Sequence, residues 1–319
     1  MLSPFYFLGG AALGWAIGGM DFAALFGAAV SSKMVKYWHG VALACVFCFA
    51  GCMIQGWKGI GTISALAPQS LAAAVIASAA AAIAITVLNL FKLPVPTSQA
   101  VVGSIAGIAA ADGCFRIEAF APLMGCWLAT PLTAFVIALP MYFFAAMAVG
   151  RTKFDIFQRD MFYRIALILA GCYAAYAMGA NAVANVSAVF VKSGAMDVSG
   201  ACIFGGVFIA IGMITFSRRV VETVGNGIIK LDPFSALIAV VTEAVTAHFF
   251  AFIGVPVSMT QALIGAIVGI AVARGAKAVK VRMLVNIFAG WIVMPLFSFA
   301  LSFGIYAASR AVCPGIFSL

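Results

Sequence analysis

Asn181 and Asn185 stand one helical turn apart in the stretch Gly179-Ala-Asn-Ala-Val-Ala-Asn-Val-Ser-Ala-Val-Phe190. The stretch lies in the middle of an apolar run long enough to cross a membrane. A primary amide carries two N–H donors and a carbonyl acceptor, and in hydrocarbon it is costly unless something binds it. The small residues around the pair let backbone or a ligand come close. Asp21, in Gly18-Gly-Met-Asp-Phe-Ala-Ala24, is a carboxylate in similar surroundings. At that depth it is expected to bind a cation, carry a proton or accept a hydrogen bond from a protonated solute. Two further stretches, Leu93-Pro-Val-Pro-Thr-Ser-Gln-Ala-Val-Val-Gly103 and Val255-Pro-Val-Ser-Met-Thr-Gln-Ala-Leu-Ile-Gly265, place prolines ahead of hydroxyls and a glutamine. Proline at a helix start, followed by hydroxyls, leaves backbone N–H groups free to donate. Glu243, inside another apolar run, is a second candidate for a coupling carboxylate. His248, five residues on, falls on a different face and reads as interfacial or packed.

These residues are carried by a chain that is 65% hydrophobic and 8% charged over 319 residues. Soluble domains carry about 25% charged residues. Apolar runs recur at 4–30, 37–57, 66–91, 119–149, 165–191, 199–216, 233–253 and 284–308, which makes the protein a polytopic all-α membrane protein. The runs are continuous and do not alternate, which argues against a membrane β-barrel. The first lacks a basic n-region and reads as a transmembrane helix, not a cleaved signal. Gly18-Gly19 and Asp21 are expected to interrupt it, and Gly59-Ile-Gly61 to end the second run. The Pro-Ser/Thr stretches are expected to form half-helices or hairpins, tolerated only inside protein or along a water-filled cavity. The net charge of +9 is read as basic cytoplasmic loops, with no nucleic-acid partner. Eight cysteines show no ligand spacing. Cys45, Cys48 and Cys52 share one helical face as packing, and no metal site is expected. No His-rich, Asp-rich or Ser-His constellation supports catalysis, so the chain is not read as an enzyme.

The chain divides into two copies, 1–150 and 151–319. Asp21 aligns with Ala182 and Ala24 with Asn185 at an offset of 161. Gln99 aligns with Gln261, Pro94 with Pro256, and Gly103 and Gly107 with Gly265 and Gly269, at an offset of 162. Leu66–Ser70 echoes Leu231–Ser235. The Gly-x-x-x-Gly pairs read as close helix contacts. Five crossings per half put both termini outside, the loop 150–164 in the cytoplasm, and the halves in opposite orientation. Of the 18 lysines and arginines, all but Lys58, Arg116, Lys192 and Arg310 then fall inside, as the positive-inside rule requires. Inverted repeats with matched breaks point to a secondary transporter whose site lies at the repeat interface.

At these motifs the chain resembles the inorganic phosphate transporter family, and within it the sulfate permease branch. That family has two copies of a Gly-Ala-Asn-Asp-x-Ala-Asn signature, each followed by a Pro-Val-Ser-Thr-Thr-His-like segment and a glycine-spaced helix. Gly179–Asn185 matches except for Ala182 in place of Asp. Gly18–Ala24 keeps Asp21 but has Met20 and Ala24 where the asparagines belong. Gln99 and Gln261 stand where the family has His. Val221-Glu-Thr-Val-Gly225 resembles its second-half approach. The likeness covers nearly the whole chain.

The resemblance implies symport of an inorganic tetrahedral oxyanion, with alternating access between the repeats, in the inner (plasma) membrane. It implies an anion site of Thr97, Ser98, Asn181, Asn185, Ser258 and Thr260, to which Gln99 and Gln261 of the same segments are added, and cation coupling through Asp21. Glu243, read from its place in an apolar run, is the second coupling candidate. No cofactor is implied beyond the coupling ion, H+ or Na+. The partners are the oxyanion and the lipid bilayer, and a homodimer is compatible with the family. Ala182 bears on the substrate. Phosphate near neutral pH still has a hydrogen to donate to a carboxylate, whereas sulfate has none and is repelled. Losing one carboxylate favours sulfate over phosphate and weakens symmetric sodium coupling. The alternatives are a sodium-coupled phosphate symporter and an uncoupled anion channel or facilitator.

Overall fold

The computed structural model describes residues 4–66, 70–90, 96–218, 220–221, 231–275 and 281–312. Among them are ten α-helices: α1 Leu8–Ser31, α2 Tyr37–Ser64, α3 Leu71–Leu90, α4 Thr97–Ala111, α5 Ile117–Gly150, α6 Ile156–Lys192, α7 Val198–Thr215, α8 Pro233–Phe252, α9 Met259–Ala273 and α10 Val281–Val312. Eight are long and apolar enough to cross a membrane, and α4 and α9 are shorter. Pro94, residues 67–69 of the Leu66–Ser70 echo and 222–225 of the Val221–Gly225 match lie outside the described residues.

Three sequence expectations are corrected. Gly18-Gly19 leaves α1 helical from Leu8 to Ser31, because these glycines serve close packing and not a bend. Gly59-Ile-Gly61 leaves α2 helical to Ser64. The polar segment expected as a loop over 150–164 is a loop only at 151–155. Asp155 accepts from the Gln158 N–H and Gln158 returns a bond to the Asp155 N–H, so a capping box starts α6 early. Asp197, Asp232 and Ser258 likewise cap α7, α8 and α9 with side-chain oxygens.

The helices pack with a repeated logic. α1 lies on α7 and α2 on α6, α4 on α10 and α9 on α5, and α1 on α3 and α6 on α8. Exchanging α1–α5 for α6–α10 in order turns each of these pairings into another of the set. The contacts match at residue level. A methyl on Gly18 would strike the Ile209 carbonyl oxygen, and one on Gly179, 161 residues on, would strike that of Cys48. Gly51 lies as close to the Tyr176 carbonyl and Gly212 to that of Trp15. Gly103 and Gly107 meet the Pro295 and Phe299 carbonyls of α10, and Gly265 and Gly269 meet those of Pro131 and Phe135 of α5. The small residues therefore do what the Gly-x-x-x-Gly spacing predicts: they let helix backbones touch.

Candidate functional site

The signature stretch forms the buried middle of α6, and residues 177–190 are all buried. Asp21 sits at the corresponding place in α1 and is also buried. Thr97, Ser98 and Gln99 open α4. Ser258 caps α9, whose first turn holds Thr260 and Gln261. All are buried except Thr260, which is half-buried. Glu243 lies on α8, fully buried. The short helices thus present their N-termini, with unpaired N–H groups and the positive end of the helix dipole, beside the hydroxyls.

Most of these groups are unsatisfied. The hydroxyl of Ser98, the amide oxygens of Gln99 and Gln261, both amide atoms of Asn185 and both carboxyl oxygens of Glu243 are buried with no hydrogen-bond partner among the described residues. Native interiors pair nearly all such atoms with protein or ordered water, so these are candidate contacts for a bound solute, ion or water. Thr246, one turn along α8 from Glu243, is unpartnered too. Sequence reading missed it, although the i, i+3 spacing puts it on the Glu243 face. Asp21 makes no hydrogen bond or ion pair to a described residue, and Glu243 lies within electrostatic reach of it. Two buried carboxyls in mutual reach repel unless a proton or cation joins them. A structural ion pair for Glu243 is not present among the described residues.

Three of the candidate site residues, Asn181, Ser258 and Thr260, are engaged. Asn181 Nδ2 donates to the Val257 carbonyl at 2.7 Å, and the Val257 N–H donates to Asn181 Oδ1 at 2.8 Å. Ser258 Oγ lies 2.8 Å from Thr260 Oγ1 and accepts from the Gln261 N–H at 3.4 Å. His248 is packed, and its ring ties three helices. Nδ1 is 2.9 Å from the Tyr173 hydroxyl of α6, and Nε2 is 2.8 Å from Gln55 Oε1 of α2.

The fold buries hydroxyls and amides at two helix N-termini, two carboxyls without a counter-ion among the described residues, and an asparagine without a partner among them. They lie inside a bundle with eight helices long and apolar enough to cross a membrane. Fold and site define a multi-pass membrane transport protein. The chain belongs to the phosphate transporter family, whose profile matches residues 17–302. It is similar to the sulfate permease CysP of Bacillus subtilis, at 28% identity over 90% of this chain and 82% of that protein. It is also similar to the human sodium-dependent phosphate transporter 1, at 30% identity over 48% of this chain and 24% of that protein. A solved structure titled "The sodium-dependent phosphate transporter" superposes with a TM-score of 0.84 at 20% identity, covering 96% of this chain and 98% of that one. That likeness places the fold.

Proposed function

We propose that the protein is a symporter of an inorganic tetrahedral oxyanion, sulfate ahead of phosphate. Ser98, Thr97, Ser258, Thr260 and Asn185 hold the anion with Gln99 and Gln261, and Asp21 with Glu243 carries the coupling proton or sodium ion. The observation that supports this most is the set of buried polar side chains on α4, α6, α8 and α9 without partners among the described residues. A fully ionised oxyanion has only acceptor atoms, and it suits hydroxyl, amide and helix N-terminal donors. The similarity to a sulfate permease agrees with the argument from Ala182. The matched helix pairings and glycine contacts support two halves, 1–150 and 151–319, related by inverted topology in the plasma membrane, with 151–155 cytoplasmic and both termini outside.

The test is uptake into proteoliposomes under an imposed pH gradient or an imposed sodium gradient, with labelled sulfate or phosphate and the other anion as competitor. Sulfate uptake driven by the pH gradient and lost in Asp21→Asn is the expected result. Labelled phosphate uptake that excess sulfate leaves unchanged would overturn the preference for sulfate. Downhill flux indifferent to both gradients would make the protein a facilitator.

A further inference from the structure

Val257 lies in the non-helical segment that precedes α9, at 255–258. Backbone groups there are buried inside a membrane protein, where no bulk water satisfies them. Asn181 of α6 satisfies both groups of Val257 at once, donating to its carbonyl and accepting from its N–H. A side-chain amide has the donor and acceptor that a neighbouring strand would offer, and here it replaces one. The next residue is Ser258, the cap of α9, and its hydroxyl meets that of Thr260. The splint therefore sets the position of the two hydroxyls from α6.

The first half has no asparagine at the corresponding place. The residue 161 positions before Asn181 is Met20, whose thioether donates no hydrogen bond. Asn185, four residues along α6, has no partner for either amide atom among the described residues, so the two signature asparagines are in different situations.

We propose that Asn181 is a positioning residue and not a ligand: it fixes the segment that aims Ser258 and Thr260, a role that Met20 of the first half has no amide to fill. This rests on the reading that those hydroxyls bind the anion. Its consequence is that α6 and the N-terminus of α9 move as one piece, and that second-half hydroxyls are preorganised by the signature helix itself.

The test combines hydrogen exchange with transport. In purified Asn181→Ala without anion, exchange at the Val257 amide is expected to quicken, while peptides of α2 and α7 stay at the wild-type rate. The KM for sulfate should rise about tenfold, the worth of about one buried hydrogen bond. Added to Ser258→Ala/Thr260→Ala, the same change should raise KM by less than about twofold, because residues acting through one another are not additive. Should Asn181→Ala not fold, Asn181→Asp, which keeps only the acceptor, serves in the same two measurements. Unchanged Val257 exchange together with additive KM effects would overturn the proposal and make Asn181 a direct ligand. If Ser258→Ala/Thr260→Ala leaves KM unchanged while Val257 exchange quickens in Asn181→Ala, the splint stands as a structural fact, and the anion-site reading is what fails.

Discussion

Asp112 and Arg274 each follow the last residue of a short helix, α4 and α9, and each fastens its helix to a neighbour with a charge of opposite sign. Arg310 of α10 donates to Asp112 Oδ1 at 2.8 Å, and the Tyr306 hydroxyl donates to Oδ2 at 2.7 Å. Arg274 donates to Asp232 Oδ2 at 2.8 Å and to the Ser235 hydroxyl at 3.2 Å. The helices that present the donors are thus pinned at their far ends, α4 to α10 and α9 to α8.

The Asp232 latch gives a pH dependence. Burial pushes the Asp232 carboxyl up, but bonds from the Ser235 N–H and hydroxyl and the Arg274 guanidinium outweigh it, and hold it below its ordinary 3.8. A depressed folded value adds stability above the unfolded pKa, and that stability is lost as pH falls through the folded one. Wild type should therefore melt higher than Asp232→Asn at pH 6, with the gap closing below about pH 4. Asp232 is 46% exposed, so the gap is modest. A gap that persists in acid would assign the effect to capping alone.

Lys33 has a φ of 60° and is the sole non-glycine residue with positive φ among those described. Its counterpart 161 residues on, Gly194, has a φ of 75°. Both sit past the end of a helix, and Val35 and Met196 close the same backbone bond to Ala29 and Phe190. A left-handed conformation costs a side chain about 1–2 kcal/mol. Lys33→Gly should raise the melting temperature and Gly194→Ala lower it, read by thermal unfolding in detergent. No gain in Lys33→Gly would show that the lysine makes up the cost elsewhere.

Gly179→Ala forces a methyl against the Cys48 carbonyl, and Gly61→Ala meets nothing within 4 Å. Overpacking of this kind costs about 1–3 kcal/mol, whereas alanine in an open helical position gains up to about 1 kcal/mol. Folded yield and thermal stability should fall in the first and hold or rise in the second. Equal behaviour would argue that α2 and α6 separate readily.

Asn185→Leu keeps the number and branching of the side chain's heavy atoms and removes two buried amide atoms that have no partner among the described residues. Each such atom costs about 1–3 kcal/mol. Without anion the variant should be at least as stable as wild type, while sulfate uptake is lost and added sulfate no longer raises the melting temperature. A less stable variant that still takes up sulfate would take Asn185 out of the site.

The apolar runs made the eight long helices legible, and paired prolines marked the two short ones. Boundaries failed where polarity misled: Gln158, Arg159 and Arg164 read as loop, yet the Asp155 cap extends α6 beneath them. Gly18-Gly19 reads as a break until the facing carbonyl of Ile209 is known, since only a neighbour decides between bend and contact. The site residues were legible as polar types in apolar surroundings. The difference between Asn181 and Asn185 was not, because it depends on Val257, a residue 76 positions from Asn181. Thr246 was missed because a lone threonine in a helix usually bonds its own backbone, as Thr215 does to Ile211.

At 15 residues each, α4 and α9 rise about 22 Å, short of a hydrocarbon layer about 30 Å thick. A helix that short cannot carry its N-terminal groups from one face of such a layer to the other. Across a membrane, 100 mV is worth about 2.3 kcal/mol per elementary charge. An anion held by those N-terminal donors, as proposed above, would stand inside the membrane field, and any net charge moved in transport would then be visible as current.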